Sequence, residues 1–287
     1  MLKTCISHYS FHRLIAKGEM NLFDVIDKVK ELGLDAVEFS EFSAEDNTIE
    51  KAKELKAYAD KAGIPIVSHC VGANFLVADP TEVFAKVKHD IDVTEALGAK
   101  VMRHDVGAGF YEGYTGLRSY NKALEIVAPR IREMAEYAKS KGITTMSENH
   151  GYYFQGSDRV TRLVEAVDHP NYRLLCDMGN FVCIDEDPAK AVAAVIPMAV
   201  HVHVKDMFLR SGTMPNPGKG WGKTAAGNYF RGTIIGQGDV PVQQCLGVIA
   251  KSGYDGYVSI EFEGMEEVMT GIEIGVENLK KFVAEIG

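Results

Sequence analysis

Short runs dense in valine, isoleucine and leucine alternate along this chain with longer stretches in which apolar residues recur every three or four positions. The short runs read as strands: KTCISHYS from Lys3, LDAVEFSE from Leu34, IPIVSHCVG from Ile64 and AKVMRHDVG from Ala99. They continue with ITTMSENHG from Ile143, YRLLCDMGN from Tyr172, AVHVHVKD from Ala199 and GYVSIEFEG from Gly256. Near-continuous apolar content suits strands covered on both faces. The longer stretches read as amphipathic helices. In NLFDVIDKVKELG (21–33), Leu22, Val25, Ile26, Val29 and Leu32 form one stripe. The segments 81–98 and 123–142 repeat the pattern and end at Gly98 and Gly142, where a helix C-cap is expected.

Eight strand–helix units fit the 287 residues, and parallel strands need crossover helices between them. The pattern predicts an α/β fold, a (β/α)₈ TIM barrel forming a single domain over 1–287. An open doubly wound sheet is the structural alternative, but no GxGxxG opens the first helix and no proline- or serine-rich linker divides the chain. One connection is long. Met207 to Gly238, after the seventh strand, carries MPNPGKGWGKTAAGNYF and the only tryptophan, Trp221. Loops of that length in compact domains are functional or disordered.

Composition changes this picture little. The chain is 46% hydrophobic and 25% charged, ordinary for a soluble protein. A net charge of −9 with no run of lysines or arginines argues against a nucleic-acid partner. The five cysteines form no CxxC pair and are expected to be buried thiols in a reducing cytoplasm. The start, MLKTCISHYSFHR, has no secretory apolar stretch, and no apolar run is long enough for a membrane span. A cytoplasmic location is the expectation.

The polar residues are more informative. In a barrel of this kind the chemistry lies at the C-terminal ends of the strands. Those ends hold His8, Glu38, His69, Arg103, His104, Glu148, His150, Asp177, Asn180, His201, His203, Lys205, Asp206, Glu261 and Glu263. Only His12, His89 and His169 among the histidines lie elsewhere. Buried charges are rare unless they are paired or bind a metal. Three carboxylates (Glu148, Asp177, Glu261) and an imidazole from different strands would make an oxygen–nitrogen site suited to Mn²⁺, Mg²⁺, Co²⁺ or Zn²⁺. The alternative is a buried ionic network with Lys205 and Arg103.

In order and spacing, SENHG (147–151), CDMGNF (176–181), HVHVKD (201–206), GQGDV (236–240) and SIEFEG (259–264) match the successive barrel-end motifs of a known family. The chain resembles the xylose isomerase-like barrels over nearly its whole length, in particular sugar-phosphate isomerases/epimerases and the inosose isomerase and dehydratase branch. The resemblance implies one divalent metal ion, Mn²⁺ foremost, held by Glu148, Asp177, His203 and Glu261. His201 would then sit one layer deeper as a core histidine. Glu263 would contact substrate or remain a solvated rim charge.

The activity so implied is isomerisation or epimerisation of a sugar or keto-sugar by proton abstraction next to a carbonyl, through an enediolate. Glu148 and Glu261 are the implied acid and base, with His150 a further candidate base because imidazole titrates near neutrality. His8, His69, His104 and Asn180 are expected to line the pocket and contact hydroxyls. Lys205 would neutralise an enediolate oxygen or hold a phosphate, and Trp221 would stack on a sugar ring or lie in a subunit interface. The 206–238 loop, with Lys219, Lys223 and Arg231, is expected to be a lid or a partner surface, so a homo-oligomer or a small partner subunit is open.

Three other readings remain. Some relatives are the barrel subunits of 3-oxo-glycoside eliminases, lyases that cleave C-glycosides, and there a histidine in the position of His150 promotes β-elimination. Class II AP endonucleases share the barrel and bind three zinc ions. However, Asn180 replaces a histidine of theirs, and the Asp-x-His expected in the long loop is absent. Asn180 also departs from the ketose 3-epimerase pattern. The third reading is a non-catalytic sugar-binding barrel.

Overall fold

Eight parallel strands close on themselves in the computed structural model, which describes residues 2–286; Met1 and Gly287 lie outside the described residues. In chain order the strands are β1 (Lys3–Ser7), β2 (Ala36–Phe39), β3 (Ile66–Val71), β4 (Val101–His104), β5 (Thr144–Glu148), β6 (Tyr172–Asp177) and β7 (Ala199–Val204). A three-stranded antiparallel sheet follows, made of β8 (Asp206–Arg210), β9 (Gly222–Lys223) and β10 (Tyr229–Thr233). The barrel is completed by β11 (Tyr257–Ile260), which pairs with both β7 and β1.

Helices cover the outside: α1 (His12–Ala16), α2 (Leu22–Glu31), α3 (Ile49–Ala62), α4 (Thr81–Leu97), α5 (Tyr120–Ser140), α6 (Ser157–Val167), α7 (Pro188–Val195), α8 (Val242–Lys251) and α9 (Val268–Ile286). The expected (β/α)₈ barrel is the observed fold. On α2 the apolar stripe buries Leu22, Val25, Ile26 and Val29, and Asn21 with Asp24 forms a capping box at its start. Helix α4 ends at Gly98 as expected, whereas α5 begins at Tyr120 because the Ser119 hydroxyl accepts from the Lys122 N–H.

The main core lies between the strands and the helices. A smaller apolar layer inside the barrel consists of Cys70, Met146 and Leu175. All five cysteines are free and buried. No helix among the described residues is long and apolar enough to cross a membrane.

The 206–238 segment differs from the long loop expected: β8, β9 and β10 give it a hydrogen-bonded core. Its two ends are tied together by Asp206, whose carboxylate accepts from the N–H groups of Met207, Gly236, Gly238 and Val240.

Candidate active site

Side chains alternate along a strand, so only every second residue at a strand end points into the barrel. That alternation sends Arg103, Glu148, Asp177, His203 and Glu261 to one place. One donor atom from each of Glu148, Asp177, His203 and Glu261 lies within 4.8 Å of the others.

Local hydrogen bonds fix each group. Asn149, pointing away from the cluster, donates to the Asp177 carbonyl (2.8 Å) and accepts from its N–H (2.8 Å), joining the ends of β5 and β6. Asp177 Oδ1 accepts from the N–H groups of Gly179 (2.7 Å) and Asn180 (3.0 Å). Its Oδ2 is left facing the cluster, buried and without a hydrogen-bond partner. Gly179 is needed for close approach, because a Cβ there would lie 2.8 Å from the Lys205 carbonyl oxygen.

His203 is oriented from below. Its Nε2 lies 2.9 Å from Oε1 of Glu38, a fully buried residue. Burial works against ionisation of Glu38, but His203 and His201 hold its carboxyl well below the usual range. An ionised carboxylate only accepts, so His203 Nε2 carries the proton. Nδ1 then faces Glu261 Oε2 at 3.6 Å, Glu148 Oε1 at 3.7 Å and Asp177 Oδ2 at 3.9 Å. These separations are too long for hydrogen bonds. Donor atoms so spaced could share a single divalent ion. His201 Nε2 stands 2.7 Å from Glu38 Oε2, one layer deeper.

Two cations flank the cluster. Arg103 donates to Glu148 Oε2 through Nε (2.9 Å), and its Nη2 lies 2.6 Å from the same oxygen. Glu148 Oε1 accepts from Asn180 Nδ2 at 2.9 Å. Burial pushes the Glu148 carboxyl up, yet the Arg103 guanidinium outweighs it and holds the group well below the usual range. Lys205 Nζ lies 2.6 Å from Glu261 Oε2, 3.2 Å from Asp177 Oδ2 and 3.4 Å from Glu263 Oε1. For Glu261, Lys205 and His203 overcome burial and bring the pKa to about 2. For Asp177, burial prevails over Lys205 and lifts it to about 6.

The donors fit a divalent ion. Asp177 Oδ2 and His203 Nδ1 are both buried without a hydrogen-bond partner, and only Asp177 Oδ2 has a cation beside it, the Lys205 ammonium at 3.2 Å. Such groups are costly to leave unmet.

The cluster forms one side of a cavity of about 190 Å³, also lined by Tyr9, Glu41, Asp105, His150 and Glu263. His150 is half-exposed on the β4–β5 side, its Nδ1 3.2 Å from Asp105 Oδ1. That contact raises the imidazole pKa. A larger cavity of about 530 Å³, lined by Asp185, Asp187, Arg210 and Asp239, lies apart from the donor cluster.

Four residues expected at the pocket lie elsewhere. His69 falls on the outward parity of β3, its Nδ1 2.8 Å from Thr94 Oγ1 on α4. His104 does the same on β4, lying between Phe75 and Tyr172 with ring-centroid distances of 5.1 and 6.0 Å. Burial lowers the pKa of both to about 4, so both are neutral. The inward positions of those strands are taken by Cys70 and Arg103. His8 accepts from the Ser40 N–H (2.8 Å) and lines a neighbouring cavity of about 230 Å³ with Met20 and Phe42. Trp221 is held by the guanidiniums of Arg210 (5.4 Å) and Arg231 (5.8 Å), away from the donor cluster. Glu38 is the residue that sequence reasoning left without a role, although a lone carboxylate inside AVEF was the available signal.

Residues 26–282 match the family described as xylose isomerase-like TIM barrel. The chain belongs to that family. This xylose isomerase-like barrel is 27% identical over 241 residues to the uncharacterized protein YihM of Escherichia coli, a match covering 83% of this chain and 65% of that protein, so it spans slightly under two thirds of that relative. It is 22% identical over 244 residues to an inosose dehydratase of Clostridium botulinum, covering 81% and 80% of the two chains. Among solved structures, the IOLI protein with a binding zinc atom superposes with a TM-score of 0.77 at 13% identity, covering 100% of this chain and 99% of that one. The 3-keto-D-glucoside 4-epimerase YcjR of Escherichia coli gives 0.68 at 16% identity, covering 91% and 94%. The structural likenesses establish the fold.

Proposed function

We propose that this protein is a divalent-metal-dependent isomerase or epimerase of a sugar or keto-sugar, removing a proton next to a carbonyl through an enediolate. The observation that carries the reading is the convergence of Glu148, Asp177, His203 and Glu261, with one donor atom of each within 4.8 Å of the others, and with Asp177 Oδ2 and His203 Nδ1 buried without a hydrogen-bond partner. A divalent ion held by these four would supply Lewis-acid stabilisation of the developing oxyanion. Three oxygens and one nitrogen suit Mn²⁺, with Mg²⁺, Co²⁺ and Zn²⁺ acceptable to the same donors.

The chain's own groups divide the remaining work. Glu148 has Oε2 committed to Arg103 and Oε1 to Asn180, so it serves better as a ligand than as a base. Glu261 uses Oε2 toward Lys205 and lines the cavity, which leaves Oε1 to move a proton. Three strands around the barrel from Glu261, the His150 imidazole, kept basic by Asp105, is the second proton-moving group. Lys205 faces the same cavity, and its ion pair with Glu261 orients that carboxylate.

The test is metal content by elemental analysis, followed by solvent-deuterium incorporation into a panel of keto-sugars. About one ion per chain, lost in Asp177→Ala, with exchange abolished in Glu261→Gln, is the expected result. No metal after reconstitution would leave an ionic network and a sugar-binding barrel.

A second reading is favoured by one further observation. A cavity of about 200 Å³, lined by Val106, Ala108 and Phe154, shares Asp105, Glu148 and His150 with the first. A leaving group seated there would be within reach of His150, as a dehydratase or a 3-oxo-glycoside eliminase requires. Loss of elimination but not of deuterium exchange in His150→Ala would select this lyase reading.

A further inference from the structure

We infer that the site takes an uncharged substrate, a keto-polyol or glycoside without phosphate or carboxylate groups. This rests on the isomerase-class reading and names its substrate class.

The first observation is that every cationic side chain lining the cavity already has carboxylate partners. Arg103 is spent on Glu148 and Asp105. Lys205 is spent on Asp177, Glu261 and Glu263. His150 faces Asp105. The remaining ionisable wall is acidic, with Glu41 and Glu263 at the mouth beside Tyr9. A phosphate entering here would break an ion pair and meet the carboxylate of Glu41, which accepts from the Gly72 N–H and has no cationic partner among the described residues. Carboxylates beside a phenol and backbone carbonyls, by contrast, accept the hydroxyl protons of a polyol well.

The second observation concerns backbone amides. Barrels of this architecture that bind phosphate do so with the loops after the seventh and eighth barrel strands and a helix N-terminus. Both places are filled in this chain by its own carboxylates. After β7, the N–H groups of Met207 (2.8 Å), Gly236 (2.8 Å), Gly238 (2.9 Å) and Val240 (3.2 Å) all point at the buried Asp206 carboxylate. After β11, the first turn of α9 presents the N–H groups of Met269 (3.0 Å) and Thr270 (2.7 Å) to Glu267. The donors a phosphate would use are therefore occupied, and the occupying groups are themselves anionic.

The experiment compares free ketoses and inososes with their phosphate esters on the full-length, metal-loaded protein. Solvent-deuterium exchange gives kcat/KM, and calorimetric titration with D-glucitol, D-glucitol 6-phosphate and inorganic phosphate gives binding. Exchange with uncharged compounds at roughly tenfold or greater preference over their esters is expected from like-charge exclusion. The gap narrows in Glu41→Gln combined with Glu263→Gln. An ester used as well as its uncharged parent overturns the inference while leaving the isomerase reading intact. If nothing exchanges, that reading falls and binding decides: preference for D-glucitol, or no binding of inorganic phosphate, supports an uncharged ligand, and tighter binding of either phosphate overturns it.

Discussion

Glu38 and His203 are joined by a 2.9 Å contact at the floor of the cavity, and that contact sets which nitrogen of the imidazole faces the donor cluster. With the Nε2 proton held by Glu38, Nδ1 is the nitrogen turned toward three carboxylates. Burial disfavours the charged ring, but Glu38 and Glu261 raise its pKa well above the ordinary value, so a bound ion would displace the Nδ1 proton. Carboxylates behind a ligating histidine orient it and raise its basicity. Glu38→Gln keeps the shape but not the charge, and is expected to weaken divalent-metal affinity by roughly tenfold to a hundredfold in a chelator competition titration. Unchanged affinity would remove His203 from the ligand set.

The barrel was legible in the chain because its strands are apolar enough to be covered on both faces and its helices carry clear stripes, as on α2. The convergence of Glu148, Asp177, His203 and Glu261 was legible from motif order. What the linear pattern did not resolve was parity. His69 and His104 stand one residue away from the inward-pointing Cys70 and Arg103, and a one-residue difference turns a pocket group into a core group. Glu38 was obscured for a related reason: its partners, His201 and His203, are 163 and 165 residues away and meet it only through barrel closure. The 206–238 segment read as a loop because β9 is two residues long and turn-forming residues dominate around it.

Arg103 is predicted to matter for stability as well as for the site. Its guanidinium is mostly buried and neutralises Glu148, whose side chain is only 3% exposed. Removing one partner of such a pair leaves an uncompensated charge and costs about 3–5 kcal/mol. Arg103→Met is expected to lose about 3 kcal/mol in urea unfolding of the metal-free protein. A loss near zero would show that water or the neighbouring Asn180 carries the Glu148 charge instead.

Trp221 is predicted to be dispensable for chemistry. It is held in the β8–β10 sheet by Arg210 and Arg231 and does not line the cavity at the donor cluster. Trp221→Ala should cost about 1 kcal/mol through lost cation–π contacts, while kcat/KM on whichever keto-sugar exchanges stays within about threefold, well under the tenfold step of a lost transition-state contact. A tenfold or larger fall in kcat/KM, with the melting temperature unchanged, would return this segment to the role of a lid.

His104 gives a pH prediction away from the donor cluster. Nδ1 lies 3.0 Å from the Asp105 carbonyl, Nε2 is buried without a partner, and burial lowers the pKa from 6.5 to about 4. Between those values the unfolded chain binds a proton that the folded chain does not, so stability falls as pH drops from about 6.5 toward about 4. At pH 5 the loss from this residue alone is about 2 kcal/mol relative to pH 7. His104→Phe keeps the aromatic packing between Phe75 and Tyr172 and removes the titrating group. Urea unfolding at pH 7 and pH 5 should therefore show a smaller pH-dependent loss in the variant, by about 2 kcal/mol. An equal loss in both proteins would mean that His104 titrates alike in the folded and unfolded chains, and the acid sensitivity would then belong to His8, His69 and the buried carboxylates.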